Sequence, residues 1–90
     1  MRIITAELSL YPLRADYLLK IEGFIRTVRG APGLEIEVNQ LSTQIRGEIG
    51  AVMRAVHGAL EASFADGMPE VLVAKFLNAD LPIGETPRVD

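Results

Sequence analysis

The stretch GLEIEVNQLSTQIRGE, residues 33–48, predicts a strand, a tight polar turn and a second strand. Residues 35–38 place Ile36 and Val38 on one face, and residues 41–46 alternate in the same way before Gly47 closes the strand. Neutral hydrogen-bonding side chains crowd the turn and the strand that leaves it: Asn39, Gln40, Ser42, Thr43 and Gln44. A hairpin needs fewer, so the stretch also suggests a small-molecule site.

The segments around this hairpin complete a familiar order of elements. Alternation predicts strands at residues 3–10 and 71–77, and helical spacing predicts one helix before the hairpin and one after it. The order strand, helix, strand, strand, helix, strand predicts an α+β, ferredoxin-like βαββαβ sandwich. Its four-stranded antiparallel sheet would carry both helices on one face. We expect a single domain over residues 1–80, with residues 81–90 as a tail that is mobile or ordered at a subunit interface.

Each predicted helix has an apolar stripe. Asp16 stands where an N-cap belongs in the first helix, and Gly30 is a stop. The first stripe comprises Tyr17, Leu18, Ile21, Ile25 and Val28. The second comprises Ile49, Val52, Met53, Val56, Leu60 and Phe64, and that helix ends before Gly67 and Pro69.

Composition excludes several classes of function. The 90 residues hold 9 Lys and Arg against 12 Asp and Glu, a net charge of −3, which lacks the basic footprint of a nucleic-acid-binding protein. There is no cysteine and one histidine, so thiolate chemistry and histidine-based metal sites are not expected. No apolar run is long enough for a membrane span, so we expect a cytoplasmic protein without membrane or nucleic-acid partners. Hydrophobic residues make up 49%, a surplus that favours oligomerisation.

The sheet face without helices holds Glu7 near the middle of the first strand, among apolar neighbours. One interpretation is a solvated glutamate, or one paired with Lys75 across the strands. The other is a carboxylate in a partly dry cleft that accepts hydrogen bonds from an amino-substituted heterocycle, with Tyr11 as a stacking surface. Residue type alone does not choose between them. For His57, beside the second stripe, a surface position is the favoured reading.

Three stretches together resemble a known family. The strand AELSLYPL (residues 6–13), the turn and strand NQLSTQIRGE (39–48) and the helix and strand VMRAVHGALEASFADGMPEVLVAKF (52–76) are similar to the thiamine-binding, YkoF-like superfamily of small ferredoxin-like proteins. The resemblance covers roughly residues 3–78. It implies a non-enzymatic protein that needs no cofactor and binds thiamine or its hydroxymethylpyrimidine precursor. It also implies a homodimer or homotetramer paired through the sheet face.

The resemblance and the side chains of the sheet face without helices together predict six ligand-binding residues: Glu7, Ser9, Tyr11, Asn39, Ser42 and Thr43. Because successive strand residues point to opposite faces, Ser42 and Thr43 cannot both line the same cleft in a regular strand. The alternative function is a ligand-free structural or regulatory oligomerisation module. A phosphate-loop hydrolase on this fold is disfavoured because residues 12–15, Pro-Leu-Arg-Ala, lack the glycines of such a loop.

Overall fold

The computed structural model describes residues 1–89, so the last residue of the predicted tail, Asp90, lies outside them. The elements are β1 (Ile3–Pro12), α1 (Tyr17–Arg29), β2 (Glu35–Val38), β3 (Thr43–Glu48), α2 (Ile49–Phe64) and β4 (Glu70–Leu77). The strands form one antiparallel sheet in the order β2-β3-β1-β4. Both helices pack against the same face, which confirms the predicted ferredoxin-like sandwich.

The core lies between the helices and the inward faces of β1 and β3, the two central strands. Its buried members are Ile4, Ala6, Leu8, Leu10, Phe24, Val28, Ile45, Val52, Val56 and Ala59. Leu8 and Ile45 are among the largest side chains that are fully buried. The inward side chains of β1 meet both helices and those of β3 meet α2, and burying each large one stabilises the fold by about 1.5–3 kcal/mol.

The two helices begin differently. At α2, the Glu48 carboxylate accepts a hydrogen bond of 3.1 Å from the backbone N–H of Ala51, which caps the first turn. At α1, Asp16 occupies the N-cap position but makes no capping hydrogen bond. Its carboxylate instead binds the Arg14 guanidinium. The predicted N-cap position of Asp16 is confirmed, but its side chain binds Arg14 because a charge-assisted bond to arginine competes for the same oxygens.

The apolar stripes are rotated from the predicted ones. In α1, Phe24 and Val28 are buried, whereas Tyr17 and Leu18 are exposed. In α2, the buried residues are Val52, Ala55, Val56, Ala59 and Ser63, and both Met53 and Phe64 remain half exposed. Val52 and Val56 of the predicted α2 stripe are buried, so the core-facing side of α2 is shifted from the prediction toward Ala55, Ala59 and Ser63.

The turn between β2 and β3 is longer than predicted. The Asn39 side-chain oxygen accepts hydrogen bonds from the backbone N–H groups of Leu41 (3.2 Å) and Ser42 (3.0 Å). This arrangement, an Asx turn, holds residues 39–42 out of the sheet. Leu41 is 89% exposed rather than a strand residue, and β3 starts at Thr43.

Gly47 lies inside β3, opposite Ile4, and does not close the strand as predicted. A Cβ at this position would lie 2.8 Å from the carbonyl oxygen of Gly33 and 2.9 Å from Leu34 Cδ2. Backbone therefore crosses β3 at a distance that only glycine permits. This contact fixes the loop between α1 and β2 against the sheet.

We expect Gly47→Ala to lower the free energy of unfolding by about 1–3 kcal/mol, because the new methyl group must displace backbone. Gly58→Ala is the matched control, since a Cβ at Gly58 in α2 would meet no atom within 4 Å. That control should be stabilised by up to about 1 kcal/mol through higher helix propensity. Urea denaturation followed by circular dichroism measures both. Equal effects of the same sign would contradict the close approach at Gly47.

The two edges of the sheet differ. The β2 edge has four residues and carries Glu35 and Glu37, whereas the β4 edge has eight residues and includes the half-exposed Val71 and Val73. Short, charged edges resist pairing with another chain, and long apolar ones do not. The sheet therefore has one protected edge and one open edge.

Candidate functional site

The sheet face opposite the helices is organised in rows of directly paired residues. The central row runs Lys75, Glu7, Gln44 and Glu37 across β4, β1, β3 and β2. These four side chains share the open face because each pair is directly opposite in the antiparallel register. The row therefore places two carboxylates, an amide and an ammonium group on adjacent strands.

Glu7 is held in place from two sides. The Ser42 hydroxyl donates a hydrogen bond of 2.9 Å to Glu7 Oε2, and Lys75 Nζ lies 3.3 Å from Oε1. The hydrogen bond from Ser42, followed by that from Lys75, lowers the pKa of the Glu7 carboxyl below its ordinary value of 4.5, against an opposing effect of burial. Glu7 is therefore an oriented carboxylate that is ionised at neutral pH. Its pairing with Lys75 across the strands is one of the two alternatives that the sequence suggested.

A cleft of about 800 Å³ opens over this row, and we call it the open-face cleft. Its sheet side is lined by Thr5, Ala6, Glu7, Glu37, Asn39, Gln44, Lys75 and Leu77. Its other side is lined by residues 81–83 and 85–88, which belong to the C-terminal segment, residues 81–89. The volume is within the range of small-molecule sites. The polar groups of the sheet lie opposite a segment of mixed character, in which the apolar Leu81 and Ile83 are followed by polar residues at 85, 86 and 88.

The predicted site residues are only partly brought together. Glu7 and Asn39 line the open-face cleft, and Ser42 reaches it through its bond to Glu7. Ser9 and Tyr11 lie farther along β1, opposite Val73 and Val71 and outside the cleft. Ser9 is directed to the Leu41 carbonyl at 3.4 Å, and Tyr11 is 54% exposed.

Thr43 is not brought to this face. It lies opposite Leu8 on the helix side of the sheet and is only 4% exposed. Ser42 and Thr43 thus separate as strand alternation requires, and Ser42 is the member of the pair that faces Glu7.

Several lining residues were missed from the sequence. Gln44 belonged to the polar run but was not assigned to the site, although its spacing from Ser42 and Arg46 places all three on one face. Glu37 lies at the β2 end of the same row. The C-terminal segment has no periodicity, so its position along one side of the cleft could not be predicted from the sequence.

Within residues 1–89, no helix has both the length and the apolar character needed to cross a membrane. The same part of the chain contains no group of three or more His, Cys, Asp or Glu side chains arranged to hold a metal ion.

We expect Ser42→Ala to raise the pKa of Glu7 toward its ordinary value, because the Ser42 hydrogen bond is the largest cause of its lowering. A carboxylate whose pKa is lowered by folding stabilises the protein fully above pH 4.5, and that contribution is lost as the pH falls through the lowered value. In the variant this stabilising contribution should be smaller, and it should be lost at a higher pH. Carbon-detected NMR titration of the Glu7 carboxyl measures the shift.

Ser9→Ala is the matched control, since its hydroxyl is directed to the Leu41 carbonyl rather than to Glu7. An unchanged Glu7 pKa in Ser42→Ala, or an equal rise in Ser9→Ala, would contradict the assigned contact.

Comparison with known proteins agrees with this fold. A family model described as YkoF-related matches residues 3–76, and no curated protein sequence matches. A hypothetical protein from Methanocaldococcus jannascii is 23% identical with a TM-score of 0.77, covering 89% of this chain and 84% of that one. A Streptococcus pneumoniae protein is 21% identical with a TM-score of 0.76, covering 92% and 91%. A candidate thiamine biosynthesis/salvage protein from Thermotoga maritima is 20% identical with a TM-score of 0.73, covering 94% and 89%. At these identities the structures show a shared fold.

Proposed function

The chain belongs to the YkoF-related family, and from that premise we propose that it reversibly binds thiamine or hydroxymethylpyrimidine in the open-face cleft. The proposed role is binding without catalysis, in the cytoplasm, as part of salvage or transport. The description of the Thermotoga maritima neighbour as a candidate thiamine biosynthesis/salvage protein supports this choice of ligand. The observation that carries the proposal is the oriented, ionised carboxylate of Glu7 at the floor of a cleft large enough for a heterocycle.

An aminopyrimidine presents an amino donor next to a ring-nitrogen acceptor. The amino group would donate to Glu7, and the ring nitrogen would accept from the Gln44 amide or the Lys75 ammonium group in the same row. The ring faces would pack on the apolar side chains of Leu81 and Ile83. An analogue without the amino group would lose this hydrogen bond to the Glu7 carboxylate, which costs about 1.5–3 kcal/mol for a bond to a charged group.

The predicted site residues take different roles in this proposal. Glu7 and Asn39 contact the ligand, while Ser42 orients Glu7 by its hydrogen bond. Ser9 and Tyr11 lie beyond the cleft on the same face and are assigned to contact with a second copy. Thr43, on the helix side, is not assigned a ligand contact.

We further propose a homodimer or homotetramer that forms through the open face. Tyr11, Val71 and Val73 are half exposed there, and together they form an apolar area that a partner would cover. The same observation favours the second candidate function, a ligand-free oligomerisation module. Native mass spectrometry separates the two, because an obligate oligomer that neither carries nor takes up a ligand supports the module.

The test of ligand binding is calorimetric titration with thiamine, hydroxymethylpyrimidine and the thiazole half of thiamine. We expect heat and a raised melting temperature with the first two and neither with the thiazole half. Because the thiazole half lacks the aminopyrimidine, it serves as the matched control. No heat and no thermal shift with the first two ligands would refute the proposal.

A further inference from the structure

The C-terminal segment crosses the open face from one edge of the sheet toward the other. Leaving β4, the chain reaches Thr5 on β1, where the backbone N–H of Leu81 donates a hydrogen bond of 3.0 Å to the Thr5 hydroxyl. The same hydroxyl donates to the carbonyl oxygen of Ala79 at 2.8 Å. Farther along, a Cβ on Gly84 would lie 3.6 Å from the Glu35 carboxylate of β2.

Two further contacts hold this path. Arg46 on β3 donates to Asp80 and to Glu35, each at 2.6 Å, and these two hydrogen bonds raise the pKa of the guanidinium. Ile83 is 9% exposed and is the buried apolar residue of the segment. Threonine, arginine and glutamate at these positions form the row next to the Glu7 row, so the segment lies directly beside the proposed ligand.

The composition of the segment reduces the conformational entropy that is lost when the segment takes this position. Pro82 and Pro87 have restricted φ angles in the unfolded chain, so less freedom is lost when the segment is ordered. Thr5 is only 6% exposed, and its hydroxyl donates one hydrogen bond and accepts another along this path. A buried hydroxyl that binds the start of the segment at Leu81 and the chain leading into it at Ala79 indicates a seated segment rather than an incidental contact.

We propose that residues 81–88 form a fixed wall of the open-face cleft and that Thr5 and Ile83 are the positioning residues that seat it before a ligand arrives. The inference rests on the proposed function of the cleft and adds to it a specificity element supplied by the same chain. The seating of the wall affects the affinity for the ligand. If the wall is seated in only a fraction of molecules, the apparent affinity falls by that fraction.

Thr5→Val tests the wall because it removes the hydroxyl and keeps the branched shape of a strand residue. In the ligand-free protein, amide exchange at Leu81 and Ile83 should become about tenfold faster, the combined effect of two lost hydrogen bonds. Affinity for hydroxymethylpyrimidine should fall several-fold for the same reason. Thr5→Ser, which keeps the hydroxyl, should restore both. Hydrogen exchange by NMR and calorimetric titration are the measurements.

A second variant of the wall and a control variant complete the test. Ile83 lies in the segment itself, so Ile83→Ala should unseat the wall without altering the sheet. This variant should reproduce the effects of Thr5→Val. Thr27→Val is the control, because the Thr27 hydroxyl donates to the Gly23 carbonyl within α1, away from the cleft. It should leave exchange at Leu81 and affinity unchanged.

The outcomes separate the wall from the ligand. Fast exchange at Leu81 and Ile83 in the unaltered chain overturns the seated wall. Faster exchange in Thr5→Val and Ile83→Ala without loss of affinity overturns its role in binding. If the unaltered chain exchanges slowly at these amides but takes up no pyrimidine, the proposed function fails while the seating of the segment stands.

Discussion

Glu7→Gln is expected to weaken binding of hydroxymethylpyrimidine by about 10- to 100-fold, the effect of losing a charge-assisted hydrogen bond. The glutamine keeps the size of the side chain but presents one neutral oxygen in place of a carboxylate. The substitution also removes the ion pair with Lys75. The Ser42 hydroxyl would then donate to a neutral oxygen instead of a charged one. Calorimetric titration measures the affinity.

The fold should tolerate this change, because a partly exposed ion pair contributes about 0–1 kcal/mol to stability. Glu37→Gln is the matched control, since it removes the same charge from the same row two strands away. We expect that control to weaken binding by no more than about twofold, as charges near solvent are screened. Equal losses in the two variants would show that the cleft acts through its overall charge and would remove the specific role of Glu7.

Leu8→Ala is expected to lower the free energy of unfolding by about 2–5 kcal/mol. Leu8 is 2% exposed, lies on the central strand β1 and belongs to the core contacted by both helices. The cavity left by its side chain cannot collapse easily between paired strands. Proteins are stable by only about 5–15 kcal/mol, and small domains are near the lower limit, so much of the total is lost.

Urea denaturation measures this loss, and Leu41→Ala provides the control. Leu41 is the same residue type but is 89% exposed in the turn before β3, so its truncation should change stability by less than about 0.5 kcal/mol. A comparable loss in both variants would contradict the placement of β1 at the centre of the core.

The order of elements was predictable because each strand and helix has a clear period. The start of α2 at Ile49 and the end of β4 at Leu77 coincide with the positions where those periods begin and end. The start of β3 was not predictable from alternation. The Asn39 side chain competes for the backbone donors of Leu41 and Ser42, so two residues with a strand-like pattern remain in the turn.

The candidate site was predictable in part for the same reason. Glu7 could be identified as a carboxylate on an open sheet face, and alternation separated Ser42 from Thr43. The pairing of Glu7 with Gln44 depends on the register between β1 and β3, which one sequence does not specify. The proposed seating of residues 81–88 depends on contacts between distant parts of the chain, such as that of Leu81 with the Thr5 hydroxyl, which are visible only in three dimensions.

The unequal edges of the sheet limit how large an assembly can grow by strand addition. The long edge of β4 can accept a strand, whereas the short β2 edge with its two glutamates resists one. Two copies that joined through β4 would each use their open edge and present only protected edges to further copies. Such growth would be self-terminating at eight strands, since a fibre needs two adhesive edges on every copy.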